Sequence, residues 1–271
     1  MKVEETIPTA GRGRDETSRF PRAREVFLIV GLTLLLAVLL KLFVVDAIHV
    51  PSRSMEGTLL AGDYVFVNKL IYGAPAPRLF GPSRASLGHL PGLRSVARGD
   101  VIVFELPENA TDGRPGEEVY FVKRAIGLPG DMVEIRHGSL IINGEKIEIP
   151  PTAARGTGNC SFGPLVVPRR GAEVPLSAAT MDLLELVIHH EGHEVSTSPR
   201  GDILVDRVPR STYIVQDDYL FVLGDNLDES SDSRSWGFLP EENVVGRATM
   251  VYWSVDGTGH PRWERVGKMI R

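Results

Sequence analysis

Two serine hydroxyls, Ser52 and Ser54, stand one residue apart directly after Pro51. A serine becomes a nucleophile when a nearby base takes its proton and fixed hydrogen-bond donors stabilise the oxyanion that forms. The pair follows soon after a long apolar run that ends at Val45, so a nucleophile here would face substrate close to a membrane. The same pattern is typical of a plain polar turn, so the rest of the chain must supply a base.

Histidine is the usual base in serine hydrolases, but the histidines of this chain are poorly placed. The chain has seven of them and no Gly-x-Ser-x-Gly motif. His49 is near Ser54 in sequence, yet an extended segment over 50–54 would carry the two apart. The HHEGH segment at 189–193 is one residue short of the HExxH zinc spacing and indicates a solvated loop or helix end.

A lysine in an apolar strand offers a different base. Residues 119–126 have the composition of a strand, in which alternation places Lys123 on the same face as Val119, Phe121 and Ala125. Burial disfavours the ammonium form, and a working pKa near 7–8 requires a shift of about 3 units, or about 4 kcal/mol. The alternative is an ordinary charge on an edge strand. The residue types by themselves favour that alternative.

The elements that would position these residues are mainly β-strands. Short runs rich in β-branched and aromatic residues are separated by Gly-Asp, Pro-Gly-Asp and Asn-Gly turns. Strands are predicted at 64–67, 101–104, 119–122, 132–135, 140–142, 219–222 and 249–253. Asn143-Gly144 predicts a hairpin, and one helix is predicted over 178–189. Two irregular stretches interrupt this pattern, a Pro/Gly/Arg-rich loop at 73–98 and an inserted subdomain at about 150–210.

The apolar run at 26–45 is long enough to cross about 30 Å of hydrocarbon. Its one charge, Lys41, lies near the end, where the side chain can reach the interface. A buried soluble helix is seldom apolar on every face for this length, and no small-x-small cleavage site follows the run. We therefore expect a retained anchor at 26–46, a disordered cytoplasmic tail at 1–25 and an extracytoplasmic domain at 47–271. The orientation follows from arginines that precede the span, at 12, 14, 19, 22 and 24.

Composition excludes several classes of function. The net charge of −5 argues against broad nucleic-acid binding, which normally needs a basic excess. The single Cys160 excludes an internal disulfide and any zinc site with several cysteines. The acidic stretch at 225–232 could be taken for a calcium loop, but it lacks the ligand spacing and closing glutamate of an EF-hand.

Four segments follow the apolar run in order: SRSM at 52–55, GDY at 62–64, KRAIGLPGD at 123–131 and GDNLDESSDSRSWG at 224–237. With the anchor, this set resembles the bacterial type I signal peptidases, membrane proteases with a Ser/Lys pair that remove signal peptides from exported proteins. The resemblance runs from the anchor to about Trp253. It favours catalysis by Lys123 over the edge-strand alternative.

The resemblance implies a role for each matching residue. Ser54 would be the nucleophile and Lys123 the general base, with the Ser54 N–H and the Ser52 hydroxyl as the oxyanion hole. Ser230 would hydrogen-bond and orient Lys123, and a supporting ion pair would join Asp232 to Arg234, with Asp225 and Asn226 in the same turn. Aliphatic side chains would surround shallow pockets for small substrate residues: Ile48, Val50, Met55, Leu59 and Val122.

The resemblance also implies partners and location. It implies that no metal and no organic cofactor is needed. The implied substrates are the signal peptides of secreted preproteins. The implied location is the cytoplasmic (inner) membrane, as a single-pass protein in contact with lipid. It leaves room for an association with the export translocon.

Two positions depart from the family pattern, because Gly57 stands where proline is usual and Leu227 where a basic residue is usual.

Two other functions fit part of these observations. A self-cleaving Ser/Lys protease of the repressor-processing type would share the pair, but such proteins are soluble and the anchor argues against it. A membrane-tethered β-rich binding module would share the fold. Intact Ser54, Lys123 and Ser230 argue against a module that has lost its chemistry.

Overall fold

A computed structural model describes residues 23–73, 91–105, 120–148 and 161–271. The chain divides into two compact units, Met1–Leu40 and Lys41–Arg271. The predicted disordered tail falls mostly outside the described residues, as do Cys160, Val119, most of the loop at 73–98 and the first part of the predicted subdomain.

The first helix, α1, spans Ala23–Phe43 and contains the predicted apolar run up to its last two residues. Among the described residues it is the one helix long and apolar enough to cross a membrane. Glu25 lies in its first turn and Lys41 in its last, which suits the helix dipole at both ends.

Within the described ranges, sixteen strands and two further helices follow α1. The helices are α2, Ala178–His190, and α3, Ser233–Trp236. The strands are β1 Val45–His49, β2 Asp63–Asn68, β3 Val101–Glu105, β4 Tyr120–Gly127, β5 Met132–Arg136, β6 Ser139–Ile142, β7 Glu145–Ile147, β8 Phe162–Val166, β9 Glu173–Pro175, β10 Val195–Thr197, β11 Ile203–Val205, β12 Val208–Pro209, β13 Thr212–Ile214, β14 Tyr219–Leu223, β15 Leu239–Pro240 and β16 Val244–Ser254.

A seven-stranded antiparallel sheet carries the catalytic candidates, with strand order β1-β2-β16-β3-β4-β14-β15. Every predicted strand is present, and the fold is mainly antiparallel β as expected. The last long strand, β16, lies between β2 and β3, so the end of the chain returns to the middle of the sheet. In β4, Lys123 is the direct cross-strand partner of Ile102 in β3.

The predicted anchor extends too far at its C-terminal end. Val45 and Asp46 belong to β1, which pairs along its whole length with β2. Backbone pairing and the burial of Ile48 favour a strand here over continuation of the helix. Asp46 also forms an ion pair with Lys69, with 2.7 Å between Oδ2 and Nζ.

A second group of small sheets packs around α2. It contains a four-stranded sheet with order β7-β6-β5-β8, a three-stranded sheet with order β10-β11-β12 and the pair β13-β9. The predicted hairpin at Asn143-Gly144 joins β6 to β7, and both residues have the positive φ that such a turn requires. Because β5 pairs with β8, this region includes strands that precede the predicted subdomain boundary at 150.

Candidate active site

Ser54 lies in a turn between β1 and β2. The turn begins with a backbone ring in which Val50 N–H donates to the Asp63 carbonyl at 2.8 Å and Gly62 N–H to the Val50 carbonyl at 2.9 Å. Gly57 has φ +109°, which proline cannot adopt, so the departure from the family pattern gives this turn a backbone path that only glycine takes easily. The Ser54 side chain is 5% exposed.

Lys123 reaches Ser54 from β4. Its Nζ donates to Ser54 Oγ at 2.7 Å, and the lysine is 4% exposed. Burial lowers the pKa of Lys123 to about 8, against the opposing attraction of Asp232 and Asp225 and with a smaller contribution from Arg234 in the same direction as burial. The amine is therefore a buried group in contact with the hydroxyl, and not an edge-strand charge.

The hydroxyl of Ser52 lies beside the same atom. Ser52 Oγ is 3.2 Å from Ser54 Oγ, and its side chain is exposed on the solvent side of the turn. On the other side, Asn226 N–H donates to the Ser54 carbonyl at 2.9 Å and its side-chain amide donates to the Arg53 carbonyl at 3.2 Å. The turn that carries Ser54 (residues 50–62, the proposed nucleophile turn) is thus joined to the Gly224–Gly237 turn through its backbone.

The predicted ion pair between Asp232 and Arg234 is present. Arg234 Nε donates to Asp232 Oδ1 at 2.8 Å, and the aspartate is fully buried. Asp232 also caps α3 and accepts a hydrogen bond from Gly224 N–H at 3.1 Å. Leu227, the second departure from the family pattern, is buried in the apolar cluster around α2.

The predicted hydrogen bond from Ser230 to Lys123 is wrong for this structure. Ser230 Oγ is buried, and it has no hydrogen-bond partner among the described residues. The hydroxyl lies against Gly224, where an added Cβ would come within 2.2 Å of Ser230 Oγ and 2.5 Å of the Ser54 carbonyl oxygen. Lys123 Nζ is instead hydrogen-bonded to Ser54.

A buried arginine beside the lysine was not predicted. Arg124, 2% exposed in its side chain, pairs with Asp225 at 2.7 and 2.8 Å. It also donates to Thr58 Oγ1 at 3.0 Å and to the Gly99 carbonyl at 2.6 Å. The sequence offered one signal for this pair: Arg124 directly follows the proposed base Lys123, and Asp225 directly precedes Asn226. Opposite charges this far apart in sequence become partners only once the sheet forms.

The five residues assigned to substrate pockets belong to one hydrophobic cluster. All are less than 10% exposed: Ile48, Val50, Met55, Leu59 and Val122. Tyr120 packs against the same cluster. The sheet therefore brings these side chains together beside the turn that carries Ser54.

Two histidines near the end of α2, outside this site, form ion pairs with carboxylates. His190 contacts Glu242 and His193 contacts Asp206. In the ranges that the structure describes, no group of three or more His, Cys, Asp or Glu side chains is arranged to hold a metal ion.

Comparisons with known proteins agree on one family. The family described as signal peptidase, peptidase S26, matches residues 23–253. Signal peptidase I of Aquifex aeolicus is 30% identical over 261 residues, covering 85% of this chain and 82% of that protein. Signal peptidase I of Pseudomonas fluorescens is 30% identical over 248 residues (86% and 75%), and that of Leptolyngbya laminosa is 27% identical over 230 residues (85% and 79%). The chain therefore belongs to the signal peptidase family, peptidase S26, as a peptidase of the bacterial type I class.

Proposed function

We propose that this protein is a membrane-anchored serine endopeptidase that removes N-terminal signal peptides from exported preproteins. One observation carries the proposal: the buried Nζ of Lys123 lies 2.7 Å from Ser54 Oγ, at hydrogen-bond distance. A base must be within this distance of the proton that it accepts. A pKa of about 8 leaves a useful fraction of the amine neutral near physiological pH.

In the first step, neutral Lys123 accepts the hydroxyl proton of Ser54 as Oγ attacks the scissile carbonyl carbon. The carbonyl π electrons move to the oxygen, and the tetrahedral oxyanion is stabilised by the Ser54 N–H and the Ser52 hydroxyl. The position of Ser52 Oγ, 3.2 Å from the nucleophile, supports this second donor.

Collapse of the tetrahedral intermediate breaks the peptide bond. The ammonium of Lys123 donates its proton to the departing amine, which releases the mature protein, while the signal peptide remains as an ester on Ser54. Water, deprotonated by the same lysine, then attacks the ester carbonyl. The bond between the acyl carbon and Ser54 Oγ breaks, Lys123 returns the proton to Oγ, and the signal peptide leaves with a free carboxyl group. The chain's own side chains supply every proton transfer in this scheme.

We assign substrate choice to the small-x-small motif that ends a signal peptide. The burial of Ile48, Val50, Met55, Leu59 and Val122 in one hydrophobic cluster supports an apolar base for the substrate pockets. Alanine-sized side chains would fit above such a base, and larger ones would clash with it. The signal peptide is the expected partner, and lipid and the export translocon are the expected surroundings.

The anchor accounts for where cleavage occurs. Ser54 follows the predicted span by only nine residues in sequence. A signal peptide ends its apolar region just before the cleavage site, so enzyme and substrate would meet near the outer surface of the inner membrane. The arginines before α1 favour a cytoplasmic N-terminus and an extracytoplasmic catalytic domain.

A cleavage assay on a purified preprotein tests the proposal. We expect Ser54→Ala and Lys123→Met each to reduce kcat by at least about 10³-fold, because removing one member of a nucleophile–base pair disables both. Ser211→Ala, in an exposed loop away from the pair, is the matched control and should retain the wild-type rate. Full activity of either dyad variant would disprove the Ser54/Lys123 mechanism.

A further inference from the structure

The segment after β16 returns to the nucleophile turn. Because β16 lies between β2 and β3, the residues that follow it pass next to the start of β2. The segment contains a 3-10 turn, Trp263–Arg265, and an isolated β-bridge between Met269 and Met250 of β16. It lies beyond the region matched by the family, which ends at residue 253.

Arg265 is a buried cation at the centre of this contact. It is 8% exposed, and its Nε donates to both oxygens of Asp63, at 2.9 and 3.1 Å. One terminal nitrogen also pairs with Asp63, and it donates to the Thr58 carbonyl at 3.1 Å. A single guanidinium therefore joins two points of the chain that follow Ser54.

Asp63 transmits this contact to the turn. Its carboxylate accepts the Leu60 N–H at 2.8 Å and the Ser254 hydroxyl at 2.7 Å, and its carbonyl accepts the Val50 N–H. Burial alone would raise the pKa of Asp63, but the hydrogen bonds from Arg265, Leu60 and Ser254 lower it overall. The carboxylate is thus held ionised as an acceptor for Arg265, the Leu60 N–H and the Ser254 hydroxyl.

Three further contacts reach the same turn. Arg262 donates to the Ala61 carbonyl at 3.1 Å. Ile270 is buried in the cluster that contains Met55 and Leu59. The Arg271 carbonyl accepts from Arg124 at 3.1 Å, and Arg124 also donates to the Thr58 hydroxyl. Thr58 is consequently held through its carbonyl by one arginine and through its hydroxyl by another.

The turn needs such support because of Gly57. This residue has φ +109° and no Cβ, so its own backbone restrains the turn weakly. A nucleophile must be held within a fraction of an ångström of its attack geometry for full rate. We propose that Arg265 is a positioning residue for Ser54, acting through the Thr58 carbonyl and Asp63, and that the contacts of Arg262, Arg265 and Ile270 form the positioning element. The inference rests on the proposed role of Ser54 as the nucleophile.

The test compares full-length Arg265→Lys with wild type in the preprotein assay. Lysine keeps the charge but lacks the planar fork that reaches Asp63 and Thr58 together. We expect kcat per folded molecule to fall roughly tenfold or more, with KM unchanged. The midpoint of the pH–rate profile should also stay unchanged, because none of the contacts of Arg265 involves Lys123. Circular dichroism at the assay temperature gives the folded fraction.

Two further variants complete the design. Glu264→Gln changes an exposed charge in the same 3-10 turn and should match wild type. If Arg265→Lys does not fold, Arg265→Met with Asp63→Asn removes both buried charges together. It should fold and still show the loss in kcat, since the Thr58 carbonyl has lost its donor.

The outcomes separate this inference from the proposed function. A wild-type kcat in Arg265→Lys, an equal loss in Glu264→Gln, or a shifted pH midpoint would overturn the positioning role. If Ser54→Ala or Lys123→Met is fully active in the same assay, the proposed function fails instead. Inactive dyad variants together with a fully active Arg265→Lys leave the dyad standing and reject only the positioning element.

Discussion

The amine of Lys123 lies among groups that push its pKa in opposite directions. Burial favours the neutral form and is the largest influence, while the carboxylates of Asp232 and Asp225 favour the charged form. The pairing of Asp232 with Arg234 moderates the second effect, because the guanidinium repels an ammonium. The resulting pKa of about 8 suits the role proposed for Lys123, which is to accept a proton from Ser54 and later donate it to the departing amine.

This balance predicts the pH dependence of activity. In the proposed mechanism the neutral amine is the reactive form, so kcat/KM should be low below pH 7, rise with pH and level off above pH 9, with a midpoint near 8. Because the pKa of Lys123 is lowered from 10.5 to about 8, a larger fraction of the buried amine is neutral between these two pH values than of a free lysine. Activity should therefore rise with pH through about 8 and not through 10.5. Initial rates from pH 6 to 10 measure the midpoint, and a midpoint near 10 would contradict a desolvated lysine.

Asp232→Asn checks the cause of that midpoint. The amide keeps the shape of the carboxylate but removes the charge that attracts the ammonium, so we expect the midpoint to move to lower pH. The folded fraction is measured alongside, because Asp232 also pairs with Arg234 and caps α3. A midpoint that stays at 8 would show that Asp232 does not influence the amine, and one that rises would contradict the attraction assigned to its carboxylate.

At the scale of elements, the site depends on the close approach of two turns. The turn that begins at Gly224 packs its backbone on the Ser54 carbonyl, and Asn226 N–H donates to the same carbonyl. Ser230 Oγ occupies the remaining space beside Gly224. Position 224 therefore needs glycine because the Ser54 carbonyl and the Ser230 hydroxyl lie too close for a Cβ, and not because of an unusual φ angle.

Gly224→Ala should disrupt this approach. A Cβ would come within 2.5 Å of the Ser54 carbonyl oxygen, so the nucleophile turn must move, and we expect kcat to fall by roughly 10²-fold. The preprotein cleavage rate is the measurement. Gly257→Ala is the matched control, because an added Cβ there meets nothing within 4 Å, and it should keep the wild-type rate. Comparable rates for the two variants would rule out the close approach as a constraint on catalysis.

At the scale of the whole molecule, the residues from Lys41 to Arg271 form a compact unit of their own. Strand β1 is part of that unit, since it pairs with β2 and contributes Ile48 to the buried cluster. The boundary between the anchor and the catalytic unit therefore lies before β1. Strand β1 is an edge strand of the seven-stranded sheet and belongs to the catalytic unit.

Two truncations test this boundary. A chain of residues 41–271 should unfold in one cooperative transition. A chain of residues 50–271 lacks β1 and the buried Ile48, which costs about 3 kcal/mol or more. For a chain of this size, that corresponds to a Tm lower by roughly 10 °C. Calorimetry of both chains measures the difference, and equal Tm values would mean that β1 contributes nothing to the stability of the unit.

Local patterns in the sequence were sufficient for much of the fold. Short runs rich in β-branched and aromatic residues predicted the strands, Asn143-Gly144 predicted a hairpin, and uniform apolarity predicted α1. These features depend on neighbours within a few residues, which is why the sequence carries them. The exact end of α1 was harder, because Val45 suits both a membrane helix and a strand, and pairing with β2 decides between the two.

What the sequence determined by itself was the set of chemical groups: Ser54, Lys123, Ser52 and the Asp232–Arg234 pair, identified through the order of their motifs. Only the tertiary structure decided that Lys123 is buried and 2.7 Å from Ser54, that Ser230 lies against Gly224, and that Arg265 reaches the nucleophile turn. These contacts join residues up to about two hundred positions apart. They form because β16 lies between β2 and β3 and because β4 passes beside the turn of Ser54, and no local pattern specifies either arrangement.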